Sequence, residues 1–222
     1  MKLKNIKGLK YPDEYIIKFF FSKNLHVKKN LNVLELGCGN GSNLMLPYDY
    51  ENNVTGIDYD PTLIEYAKHN YQLISTTSNY NFEDSDIRTY VANNFNLEID
   101  LLLLPSVIYY INKSDFITLM DNIISNQLIK KSIPFYIRFR TNKDFRFGLG
   151  EKLEDNCYRM PEDNITGEAN ATITFYTESE MLNLLQKHLN LTQYKIFHLN
   201  NENYQNGMTI LNSDIVIWGT IN

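Results

Sequence analysis

The sequence predicts one doubly wound α/β domain, with a seven-stranded, mostly parallel sheet, an antiparallel C-terminal strand and helices on both faces. Three observations carry this. Apolar stretches of strand length alternate with helix-like segments through the first 140 residues. The stretches are apolar nearly throughout, as strands covered on both faces must be. Two further strand-length segments close the chain, and a terminal pair of this kind adds an antiparallel strand. With 222 residues, 43% of them hydrophobic, and no repeat, low-complexity tract or Pro/Gly linker, the chain is expected to form a single domain over 1–222.

Strands are expected at 32–36, 53–57, 80–83, 99–104, 134–140, 191–199 and 214–219. A helix over 61–72 is predicted by Asp60 at its N-cap and Pro61 in the first helical position, where proline's missing N–H is not needed. Ser114 reads as the cap of a helix over 115–128, whose residues Phe116, Leu119, Met120 and Ile123 form one apolar face. Thr177 and Glu180 spell a capping box ahead of Met181, Leu184 and Leu185. The stretch 141–171 is too long for a plain connection and reads as an insertion that serves as a binding loop.

Composition removes several classes of function. Lys plus Arg is 21 against 26 Asp plus Glu, a formal charge of −5, so the footprint of a nucleic-acid binder is missing. The longest apolar run, 101–111, is broken by Pro105 and Ser106 and falls short of the roughly 20 residues of a membrane span. The basic N-terminal stretch is interrupted by Lys18 and no small-residue cleavage site follows, so a cytoplasmic location is expected. Cys38 and Cys157 lie far apart and the four histidines have no ligand spacing, so no metal is expected.

The chemistry is concentrated where the first strand runs into Gly37, Cys38, Gly39, Asn40 and Gly41, and then a helix. Glycines here let the backbone turn sharply and approach a ligand closely. Ser42 stands where a dinucleotide fingerprint needs its third glycine, and the lysine of a phosphate-binding P-loop is absent. What remains is E-x-G-x-G-x-G from Glu35 to Gly41. The next strand ends in an acid, Asp58, whose carboxylate can accept two hydrogen bonds from a vicinal diol or serve only as a cap for the helix that follows. Cys38 serves this loop as a small side chain, not as a thiol nucleophile.

In these residues the chain resembles the class I S-adenosylmethionine-dependent methyltransferases, and the likeness extends over residues 30–220. The resemblance implies a Rossmann-like sheet, S-adenosylmethionine as cofactor with S-adenosylhomocysteine as product, and no metal. It places Glu35, Gly37, Cys38, Gly39 and Gly41 in the cofactor loop and Asp58 with Tyr59 at the ribose. Asp86 and Ile87 would stand at the adenine, with Glu83 and Asp84 as alternative acids. The stretch 100–111 resembles the strand and turn facing the methyl donor, with Leu104 on the cofactor side. Tyr109 stands where relatives often carry a pocket-lining histidine, which makes it the candidate catalytic or acceptor-contacting residue; core packing is the equal alternative.

The stretch 8–20 resembles the opening helix of small methyltransferases from bacterial surface-polysaccharide (capsule) gene clusters. That likeness makes 1–30 a lid segment and puts Tyr11 over the cofactor. The acceptor is then expected to be a small molecule methylated on oxygen: a sugar, a nucleotide-sugar or a phosphorylated precursor. Arg138, Arg140, Arg146 and Tyr158 are the candidate substrate-binding residues, since arginines and aromatics together suit an anionic or ring-shaped ligand. Arg138 and Arg140, two apart on one strand, would point the same way and clamp one anion. Pairing of the loop's cations with Glu151, Glu154 and Asp155 is the competing reading. N-methylation of a small metabolite and cofactor binding without turnover both stay open.

Overall fold

The computed structural model describes residues 3–74, 77–162 and 166–222. Seven strands form the main sheet: β1 (Asn32–Leu36), β2 (Asn53–Asp58), β3 (Tyr80–Asp84), β4 (Leu101–Pro105), β5 (Ile133–Arg140), β9 (Thr192–Gln205) and β10 (Met208–Ile221). Their order is β3-β2-β1-β4-β5-β10-β9, with β1 to β5 parallel and β10 antiparallel to both its neighbours. Among the described residues six α-helices accompany it: α1 (Glu14–Ser22), α2 (Met45–Asp49), α3 (Pro61–Ile74), α4 (Ile87–Asn93), α5 (Lys113–Ser125) and α6 (Glu178–Leu189). The expected fold class is the one observed.

Strict alternation along each strand explains why the strands read as apolar throughout. Leu34, Leu102, Leu104, Phe135, Ile137 and Phe139 face one side and pack with α5 and α6 through Phe116, Met120, Met181 and Leu185. Val33, Leu101, Leu103 and Tyr136 face the other and pack with α1 and α3 through Phe19, Phe20, Ile64 and Tyr71. Each such side chain contributes about 1.5–3 kcal/mol on burial, so the two half-cores together fix the register and hold the carboxyl ends of the parallel strands at one edge.

Several boundaries differ from expectation for local reasons. The cap of α5 is Asn112, whose side chain accepts from the Asp115 N–H at 2.8 Å; Ser114 instead donates to that same asparagine oxygen. The helix stops at Ser125, and Leu128 is buried in the loop beyond it. Thr177 caps α6, accepting from the Glu180 N–H at 3.2 Å, but the Glu180 carboxylate turns to Lys113, so the box forms by half. The helix after the glycine loop shrinks to the five residues of α2. The final hairpin is longer than expected because Asn206 and Gly207 form a two-residue turn, both with positive φ (48° and 82°), which matches the twist of the strands it joins.

The insertion is not a bare loop. It contains β6 (Glu151–Glu154) and β7 (Cys157–Arg159), which with β8 (Thr172–Thr174) make a small antiparallel sheet. Met160, Ile173 and Phe175 pack there against Tyr109 and dock this sheet beside the carboxyl edge of the main one.

Candidate active site

A cavity of about 1050 Å³ opens at that edge. Its first end is the glycine loop, held to β2 by the Gly37 and Cys38 N–H groups, which donate to the Ile57 carbonyl at 2.8 and 3.0 Å. Gly37 and Gly39 both have positive φ, 77° and 52°, but for different reasons. A Cβ on Gly37 would lie 2.4 Å from the Val107 side chain, so that glycine is set by packing. A Cβ on Gly39 would meet nothing within 4 Å and would project into the cavity, leaving room for a ligand to lie on the backbone.

Asp58, at the end of β2, ties this loop down. Its Oδ2 accepts from the Gly39 N–H at 2.8 Å and its Oδ1 from the Asp60 N–H at 3.0 Å. Asp60 in turn accepts from the Thr62 N–H at 2.8 Å, so Asp60 caps α3 and Asp58 is free for the cavity it borders. Glu35 lies beneath the loop, fully buried. Asn43 donates to its Oε1 at 2.7 Å, and its Oε2 has no partner. Burial pushes its pKa up to about 8 against the pull of Asn43. Burial also raises the Cys38 thiol well above its ordinary value, which fits packing and not nucleophilic chemistry.

Of the three acids weighed for the next strand, only Asp86 borders the cavity, together with Ile87. Asp86 caps α4, accepting from the Arg88 N–H at 2.8 Å, and the Arg88 guanidinium bonded to it holds its carboxyl below the usual range. Tyr11 and Tyr59, 66% and 75% exposed, stand on the rim. Gly41 and Leu104 do not border the cavity: Gly41 packs against Phe82 and Tyr71, and Leu104 lies in the core.

Sequence reasoning missed the asparagines of this end. Asn40 donates to the carbonyls of Lys7 and Leu9, both at 2.8 Å, and Asn70 accepts from the Lys7 N–H at 2.9 Å, so the N-terminal strap is pinned across the loop. Asn43 accepts from the Asp13 N–H at 2.9 Å. The signal was present in Gly39-Asn40-Gly41-Ser42-Asn43, where amides beside a glycine turn are placed to bond backbone.

The other end is built of side chains. Arg138 and Arg140 share a face as expected, but as a free anion clamp they are corrected by their partners. Arg138 donates to Asp13 at 2.7 Å and to Asp214 at 2.5 and 2.9 Å. Burial works to lower its pKa, yet Asp214 and Asp13 hold it raised. Arg140 donates to Glu168 at 3.0 Å and stacks 4.3 Å from the centre of the Tyr109 ring. Arg146 pairs with Asp144 at 2.8 Å and with Glu168 at 2.5 Å. Tyr110 donates to Glu168 at 2.9 Å. Tyr109 combines both of its readings, since it borders the cavity and packs in the insertion's core, where burial raises its pKa. Tyr158 does not border the cavity; its ring packs against Phe147 and Phe175. The surface acids Glu151 and Asp155 pair with Arg159 and Lys152, not with the cavity arginines.

A doubly wound sheet of this strand order, with a glycine loop after β1 and an acid at the end of β2, defines the class: a Rossmann-like methyltransferase fold. The chain belongs to the methyltransferase-domain family, whose model matches residues 27–202. It is 28% identical over 98 residues to a methyltransferase-like protein of Invertebrate iridescent virus 6, a match that covers 43% of this chain. The match spans about a third (35%) of that relative's length. Among solved structures, an S-adenosylmethionine-dependent methyltransferase from Methanosarcina mazei superposes with a TM-score of 0.63 at 16% identity, covering 89% of this chain and 96% of its own. The N-methyltransferase NodS of Bradyrhizobium japonicum, solved with S-adenosylhomocysteine, gives 0.60 at 15% identity, covering 94% and 84%. These likenesses are of fold. Among the described residues no helix is long and apolar enough to cross a membrane, and no group of three or more His, Cys, Asp or Glu is placed to hold a metal.

Proposed function

We propose that this methyltransferase takes S-adenosylmethionine at the glycine-loop end of the cavity and methylates an oxygen of a small polar acceptor at the other end. The observation that carries this is the open space over Gly39, bordered by the Asp58 carboxylate and lying above the unpartnered Glu35 oxygen. The donor set fits the group. Asp58, already oriented by two backbone N–H groups, keeps lone pairs for the ribose hydroxyls. Asp86 and the Ile87 N–H would meet the adenine edge, with Tyr11 and Tyr59 over the rim and Gly37, Cys38 and Gly39 along the methionine portion. Glu35 and Gly41 act from beneath the loop and Leu104 from behind it. When bound, the cofactor supplies a methyl group on a sulfonium whose departure leaves a neutral thioether, so no acid or metal is needed for the leaving group.

The protein's task is therefore positioning, and the proton that the acceptor hydroxyl gives up as its oxygen takes the methyl group would pass to the Asp214 carboxylate bordering that end. Tyr109, Arg140 and Arg138 would orient the acceptor, and the insertion would keep water from it. A sugar hydroxyl is the acceptor that the resemblance of the stretch 8–20 to surface-polysaccharide methyltransferases supports. Thermal unfolding with S-adenosylhomocysteine, against NAD as control, tests the reading. At 100 times the dissociation constant, linkage gives roughly 2.7 kcal/mol of stabilisation. A shift with NAD and none with S-adenosylhomocysteine overturns it.

A further inference from the structure

The acceptor end deserves a narrower identification, and it rests on the reading of the cavity just given. Its three arginines meet four carboxylates, Asp13, Asp144, Glu168 and Asp214, which leaves an excess of one negative charge. Among the described residues, two hydrogen-bonding functions nevertheless remain open there. Both contacts of Arg138 with Asp214 end on Oδ2, so Asp214 Oδ1 accepts no protein hydrogen bond. The buried Nε of Arg140 donates to nothing. Both residues border the cavity. They are register partners across β5 and β10, so their side chains share a face with Cβ atoms about 5 Å apart.

An open acceptor beside an open donor selects by chemistry. A phosphate or carboxylate would satisfy Arg140 but bring a second negative charge against Asp214. An ammonium group would satisfy Asp214 and leave the arginine donor unmet. A hydroxyl both donates and accepts, and adjacent hydroxyls can do so toward both residues at once. We propose that Asp214 and Arg140 form a hydroxyl-reading pair that admits an uncharged polyol as acceptor and excludes anionic ones, with Asp214 determining the specificity. Asp214 also sits near enough to Tyr109 to act on its hydroxyl electrostatically, which ties the pair to the rest of the acceptor end.

The pair is tested on the full chain saturated with S-adenosylhomocysteine. Ligand-observed NMR and calorimetry would compare a panel of methyl glycosides with the phosphate monoesters of the same sugars and with inorganic phosphate. The wild type should favour the glycosides. Asp214→Asn should weaken them by roughly tenfold or more, the loss expected for one hydrogen bond to a charged group, and should gain saturable phosphate binding as Arg138 loses one of its two carboxylates and the negative charge beside Arg140 is removed. Asp214→Ser, which removes the same charge with a smaller side chain, should do likewise if the Asn variant folds poorly. S-adenosylhomocysteine affinity within twofold of wild type reports that either variant is folded. A wild type that prefers phosphates, a panel without any glycoside binder, or an unchanged preference in a folded Asp214 variant overturns the pair. Failure of S-adenosylhomocysteine to bind the wild type would instead overturn the cofactor assignment.

Discussion

The two ends of the cavity are built from different material. At the glycine loop the walls are mostly backbone: Gly37 and Gly39, two N–H groups anchored to the end of β2 and one carboxylate fixed by two more. At the acceptor end they are charged side chains brought together from four parts of the chain: the N-terminal strap, β5, the insertion and β10. A backbone-built site depends on local spacing, whereas a side-chain site depends on which distant residues meet. The first kind should be sensitive to any added atom, and the second to any lost charge.

Gly39→Val is the sharpest way to break the first end. The branched side chain would fill the space over the loop and strain a left-handed backbone, so S-adenosylhomocysteine binding should fall below detection in calorimetry while the protein stays folded. Normal affinity in the folded variant would dissolve the distinction between the ends. Glu168→Gln is the counterpart at the second end. It leaves Arg140 and Arg146 without their shared carboxylate, and a loss of about 3 kcal/mol is expected in urea unfolding, with cofactor affinity within twofold of wild type.

Asp58→Ala tests whether one carboxylate serves both loop and ligand. Cofactor affinity should drop by about 2–3 kcal/mol, since charge-assisted hydrogen bonds are removed. Because Asp58 also holds the Gly39 and Asp60 N–H groups, the melting temperature should fall as well, unlike a residue that only touches ligand.

The carboxyl of Glu35 turns the comparison into one of pH. Its folded pKa, about 8, lies above the unfolded value, so its contribution to stability is complete below about pH 4.5 and is lost as the pH rises toward 8. Glu35→Gln should lack that decline. Relative to the variant, the wild type should lose stability between pH 5 and pH 9 in urea titrations. A wild type that gains relative to the variant over this range would show that the carboxyl is not held neutral.

The same contrast explains what could be read in advance. The alternation of strands and helices, the Asp60-Pro61 helix start, the glycine loop and the placement of Arg138 and Arg140 on one face all follow from local spacing and from the period of two along a strand. The partners of those arginines do not: Asp13 lies 125 residues from Arg138, and Asp214 lies 76. The small sheet of the insertion was hidden because β6 is exposed along its whole length and reads Glu-Lys-Leu-Glu, with no apolar face to betray a strand. Ser114 misled because a hydroxyl two residues into a turn resembles a cap, while Asn112 reaches the free N–H better. Asn206-Gly207 is a hairpin-turn dipeptide, but the residues flanking it are mostly polar, so the strands it joins extend beyond the apolar stretches that mark them.

Glu168 has a consequence for redesign. One carboxylate gathers Arg140, Arg146 and Tyr110, and the insertion is otherwise fastened at its start by hydrogen bonds of Thr141, Asp144 and Phe145 to β10, and farther on by a compact apolar cluster and the ladder between β7 and β8. The outward strand β6 takes no part in these fastenings. A strand fastened only to its neighbour β7, and away from the cavity wall, is exchangeable: a different sequence grafted between Gly148 and Asp155, with Glu168 retained, should leave the fold and the glycine-loop end unchanged.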